Sequence, residues 1–145
     1  MLANTVATDL SKAIISHFAT QLSSYTVTVE GHGKETSVPR VEIRLDGPFY
    51  SALGSKEWRV VVETNILVLS NTGQNIYTHS DMVGKVAAAF TPITLEETEE
   101  PPSGISGCLN LLDSVRVDNF GQLAPDKPVQ RSTVEGRYEI ILKEQ

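Results

Sequence analysis

The chain has 145 residues, the size of one compact domain, and carries a net charge of −6 with 40% apolar and 21% charged residues. That balance excludes a disordered chain, and the acidity argues against the clustered Lys and Arg with which proteins grip nucleic-acid phosphates. The longest unbroken apolar runs, Ile66 to Leu69 and Val86 to Phe90, fall far short of the ~20 residues of a membrane-spanning helix. The opening MLANTVATDLSK has no basic stretch followed by an apolar core, and the single Cys108 permits neither an internal disulfide nor a C-x-x-C site. The expectation is a protein made and used without export, in a reducing cytoplasm, with no membrane partner.

Val6, Leu10, Ile14, Phe18 and Leu22 recur every four residues, the mark of an amphipathic helix with Asn4 or Thr5 as its cap. Tyr25 to Glu30 alternates and is rich in β-branched residues, so it reads as a strand, and GHGKE after it as a turn. Arg40 to Asp46 places Val41, Ile43 and Leu45 on one side and Arg40, Glu42, Arg44 and Asp46 on the other, a half-exposed strand. The segment 47–56, with Gly47, Pro48 and Gly54, reads as a loop or a projecting arm carrying Phe49 and Tyr50.

Trp58 to Asn71, WRVVVETNILVLSN, reads as one strand of roughly 45 Å, more than twice the usual length. Trp58, Val60, Val62, Thr64, Ile66 and Val68 form a nearly continuous apolar face that is expected to pack under helices. The other face carries Arg59, Glu63 and Asn65, then turns apolar at Leu67 and Leu69, where another layer or another subunit is expected to cover it. From Tyr77 to Phe90 the period becomes helical, with Met82, Val83, Val86, Ala87 and Phe90 in one stripe and Thr78 with Asp81 placed as a capping box.

Residues 95–107 hold Glu96, Glu97, Glu99 and Glu100 beside Pro101 and Pro102, and read as an exposed acidic linker. Cys108 to Asp118 reads as a strand with Leu109, Leu111, Val115 and Val117 inward and a bulge near Asp113. Residues 119–130 read as a long turn. Val134 to Lys143 closes the chain as a strand with Val134, Gly136, Tyr138, Ile140 and Leu142 inward and Glu135, Arg137, Glu139 and Lys143 outward. The whole is a single α+β domain over 1–145, in the order α-β-β-β-α-β-β, with a mostly antiparallel sheet of about five strands and two helices on one face.

No catalytic constellation emerges. His17, His32 and His79 fit no metal-ligand spacing and read as surface histidines, and Cys108 reads as a small buried hydrophobe. The consecutive glutamates lack the interleaved carbonyls and glycine turn of a calcium loop. The expectation is a protein with no cofactor and no enzymatic activity.

The N-terminal helix, the charged strand RVEIRLD, the long strand EWRVVVETNILVLS opening on a tryptophan, the helix with DMVGKVAAAF and the closing VEGRYEIIL together resemble the tail terminator, or tail completion, proteins of long-tailed bacteriophages and their neck-protein relatives. The resemblance implies a structural subunit of the virion, assembled in the host cytoplasm into a homo-oligomeric ring, usually a hexamer. Such a ring caps the tail tube and joins it to the head connector or completion protein, and DNA passes through without specific binding. On that reading Arg40, Glu42, Arg44, Phe49, Tyr50, Arg59, Glu63, Glu135, Arg137 and Glu139 are candidates for the contacts between subunits. Glu96, Glu97, Glu99 and Glu100 are candidates for the bore or an axial surface. Segment 95–107 departs from the family. The alternative is a monomeric ligand-binding or regulatory α+β module with a pocket between helices and sheet.

Overall fold

A computed structural model describes residues 4–30, 39–71, 76–95, 107–123 and 129–143. Helix α1 spans Val6–Gln21 and α2 Ile76–Ala88; the strands are β1 (Thr26–Val29), β2 (Arg40–Ala52), β3 (Glu57–Asn71), β4 (Ile93–Leu95), β5 (Gly107–Leu123) and β6 (Val129–Lys143). They form one six-stranded sheet in the order β1-β2-β3-β6-β5-β4. The expected α+β layout is present, with β4 as a short addition after α2. All pairings are antiparallel except β1 with β2, which run parallel with Thr26 opposite Arg40.

The four-residue spacing of α1 does what its period dictates: Val6, Leu10, Ile14 and Phe18 are buried, with Leu22 just beyond the helix. Thr5 is the N-cap, but its side chain makes no capping hydrogen bond. In α2, Met82, Val83 and Val86 are buried and Ala87 lies partly exposed at their side. As described, that helix spans Ile76–Ala88, so Thr78 lies within it rather than at its cap, and Asp81 pairs with Lys85 at 3.0 Å, one turn on.

Both helices lie against one face of the sheet, over Val60, Val62, Ile66 and Val68 of β3 and Val134, Tyr138, Ile140 and Leu142 of β6. An aromatic cluster sits at the centre. The Phe18 and Phe90 rings meet edge-on at 4.8 Å, and Phe90 stacks on Tyr138 at 6.1 Å. Gly136 makes room for it, because a Cβ there would lie 2.7 Å from two carbons of the Phe90 ring. The Tyr138 hydroxyl donates to Thr91 O at 2.9 Å, and His17 Nε2 lies 2.8 Å from Ala89 O, tying α1 and β6 to the chain leaving α2.

Several segments that read as turns are strand. Residues 47–52 continue β2, pairing with β3 as far as Ala52 opposite Trp58, and only residues 53–56 form the turn. A bulge between Asp46 and Phe49 lets the strand pass Gly47 and Pro48. Gly47 has a φ of 105° there, and a Cβ would lie 3.0 Å from Val61 O, so the site calls for glycine. Likewise β5 runs on to Leu123, and β6 begins at Val129.

The bulge expected near Asp113 is present: the register of β5 on β6 shifts between Leu112 and Arg116, with Asp113 at a φ of 59°. A second shift, between Asp118 and Gln122, contains Asn119 at 53° and Gly121 at 66°. These interruptions break the inward alternation of β5. Leu109 is fully buried, Leu111 and Val115 are half-buried, and Val117 is 38% exposed, contrary to its expected place inside. Cys108 is half-buried rather than a core residue.

On β3 the long apolar face lies under the helices as expected, with Thr64 buried among it. The far end of its other face is covered within this chain, Leu69 being 8% exposed and Leu67 half-buried. Of the linker 95–107, Leu95 belongs to β4 and Gly107 to β5; Glu96, Glu97, Glu99 and Glu100 lie outside the described residues, as does His32. Among the described residues no helix is long and apolar enough to cross a membrane.

Candidate functional site: the open face and edges of the sheet

Alternation along a strand sends every second side chain to the face opposite the helices. Pairing then aligns those side chains in rows. Arg44, Asn65, Glu135 and Arg116 stand side by side across β2, β3, β6 and β5, and the next row holds Asp46, Glu63, Arg137 and Leu112. A third row joins Phe49, Val61, Glu139 and Asn110, and a fourth Ser51, Arg59 and Ile141. Arg40 and Glu42 lie on the same face, opposite Leu69 and Leu67. The fold therefore gathers nine of the ten candidate contact residues on one surface. Tyr50, whose neighbour across the strands is the buried Val60, points to the other side of β2.

The charges on this face are largely paired with one another. Arg44 Nη2 lies 2.7 Å from Glu42 Oε2, Arg59 Nε 2.5 Å from Glu139 Oε1, and Arg116 Nη2 2.6 Å from Glu135 and 3.0 Å from Asp118. Arg137 pairs with Asp113 on the first bulge of β5. The carboxylates of Glu135 and Asp118 hold the Arg116 guanidinium more firmly protonated than usual. A pocket of about 380 Å³ opens between these pairs, beside the register shift of β5 on β6, lined by Glu63, Asn65, Asp113, Ser114, Arg116, Glu135, Gly136 and Arg137. Half-exposed pairs of this kind add little stability but orient whatever meets them.

The polar group that sequence reasoning missed lies inside. His79, read as a surface residue, is fully buried on α2: its Nδ1 is 2.7 Å from Ser70 Oγ of β3 and its Nε2 2.7 Å from Ser132 Oγ of β6. Ser132 Oγ also accepts the Gly121 N–H at 2.8 Å, and the Phe120 ring meets the imidazole edge-on, so the second bulge of β5 is tied to the same network. Burial pushes the His79 pKa down. With Ser70, His79 and Ser132 all at 0% exposure, no substrate reaches a hydroxyl, and the arrangement serves as a structural clasp. Its signal was present in the sequence: His79 stands three, four and seven residues before Met82, Val83 and Val86, in line with the apolar stripe.

Large apolar side chains left exposed are concentrated at the edges of the sheet. Phe49 at 48%, Tyr50 and Leu53 stand on or just beyond β2, while Val117, Phe120 and Leu123, at 61%, stand on β5. Among the described residues no group of three or more His, Cys, Asp or Glu is placed to hold a metal ion.

No protein-family model and no curated protein matches this sequence. Among solved structures, one whose designation states no function superposes with a TM-score of 0.52 at 10% sequence identity, covering 92% of each chain. At that identity the likeness is one of fold, and it extends over nearly the whole of both chains.

Proposed function

We propose that this chain is a structural assembly subunit that works by contact with copies of itself and with neighbouring proteins, in the manner of a ring-forming tail terminator or neck protein of a long-tailed phage. The observation that carries this reading is the apolar surface left exposed at the margins of the sheet. The inner face of β3 is buried from Val60 to Ser70 and that of β6 from Ser132 to Leu142, whereas the hairpin end of β2 and the far part of β5 carry exposed apolar side chains. Phe49 on β2, Leu53 just beyond it, and Phe120 and Leu123 on β5 stand exposed to water; an assembly subunit buries such residues against its neighbours. The paired charges on the open face supply register between subunits, and an overall charge of −6 suits a bore through which DNA slides without adhering.

The ligand-module alternative has less to support it, since the space between the helices and the central strands is filled by Phe18, Phe90, Tyr138 and the aliphatic side chains around them, and the hollow between α1 and β4, lined by Ala13, His17, Ile93 and Thr94, is open and shallow. The test is light scattering of the purified chain, alone and mixed with isolated tail tubes. A discrete ring-sized species in either sample supports the proposal, and a single-chain mass in both at every concentration speaks against it.

A further inference from the structure

Among the described residues, two edges of the sheet are hardly paired. β1 pairs with Arg40 to Ile43 of β2, leaving 44–52 without a strand on the outer side, and β4 pairs with Gly107 to Leu109 of β5, leaving 110–123 likewise, among the described residues. Unpaired edges of this length template the addition of another strand, and monomers usually keep them short or charged. Here the apolar exposure falls on the same edges. Of the eight large hydrophobic residues exposed among the described residues, Phe49, Tyr50 and Leu53 belong to the β2 edge and Val117, Phe120 and Leu123 to the β5 edge.

We infer that the β2 edge of one copy pairs with the β5 edge of the next, so that neighbouring subunits join sheet to sheet. Strand direction permits this. β2 is antiparallel to β3, β3 to β6 and β6 to β5, so β2 and β5 run in opposite directions. Two copies standing side by side in the same orientation bring these edges together antiparallel, the pairing with the straighter hydrogen bonds. The joined surfaces differ, which makes the contact heterologous, and repetition of such a contact closes a ring when the rotation divides a full turn. The bulges at Gly47–Pro48 and within β5 confine pairing to the segments between them and so set a single register. This inference rests on the ring reading for closure, whereas the pairing of the two edges stands on the observations above.

The test uses the full chain with Cys108→Ser and one new cysteine on each edge, Ser51→Cys on β2 and Val117→Cys on β5, treated with a short bis-maleimide under the conditions in which the chain assembles on tail tubes. The double variant is expected to give a ladder of dimers, trimers and higher species, and each single variant none, because like edges do not meet. Adding Phe49→Lys and Leu123→Lys is expected to lower the ladder at least tenfold while the circular dichroism spectrum stays unchanged. A ladder that is missing while the chain is seen to assemble, or dimers of equal yield from either single variant, overturns the edge pairing. A ladder from a chain that is then found absent from phage particles leaves the pairing standing and removes the tail-terminator reading.

Discussion

A buried histidine with both ring nitrogens within hydrogen-bond distance of serine hydroxyls resists protonation, because burial penalises the charged imidazolium. The sign for stability follows. His79 has its pKa lowered in the folded protein from the ordinary 6.5, so below that pH the unfolded chain binds a proton that the folded one refuses. Stability from this site is complete above about 6.5 and declines as pH falls from there toward the folded value. Thermal melts between pH 8 and pH 5 are expected to show this decline in the wild type and a smaller one in His79→Gln, the difference between the two curves isolating His79 from His17 and His32; parallel curves contradict the assignment. Gly136 offers a second check. Alanine there drives a methyl group into the Phe90 ring and is expected to cost about 1 to 3 kcal/mol in urea unfolding, with Phe90→Leu in the same chain recovering part of the loss. Gly136 was legible as an inward residue of β6 by its alternation, but the ring it accommodates arrives from 46 residues earlier in the chain, a contact that no local pattern announces.

At the level of elements, period was the reliable guide and punctuation the unreliable one. The four-residue spacing of α1 and the two-residue alternations of β2, β3 and β6 placed their buried faces correctly, since burial on one face imposes those periods. Gly47, Pro48 and the run from Asn119 to Leu123 were read as loops, yet bulges absorb them and the strands continue. Pro48 is tolerated because residues 44–52 have no strand outside them among the described residues, so the missing N–H breaks no second ladder. The parallel pairing of β1 with β2 was hidden too, as composition does not report direction. A contrast between elements tests whether the hairpin end of β2 and β3 stands apart from the core. Leu10→Ala in α1, at 0% exposure, is expected to cost about 2 to 5 kcal/mol in urea unfolding, whereas Phe49→Ser and Leu53→Ser at the hairpin end are expected to change stability by about 0.5 kcal/mol or less. Equal costs would mean that the hairpin belongs to the core of the monomer.

For the whole molecule, one face of the sheet is committed to the core, while among the described residues the middle of the other face is half-exposed and the edges carry only the strands β1 and β4. Nine of the ten residues chosen from the sequence as contact candidates share that open face, because alternation alone sorts them there. The edges were not legible, since they depend on which strands lie outermost and on how short β1 and β4 are. The proposed place of this chain in a phage tail is decided by electron microscopy of particles carrying a gold label on this subunit. Label is expected at the junction of tail tube and head, in a ring of identical copies. Particles that carry no label, with the labelled chain found free in the lysate, would contradict it.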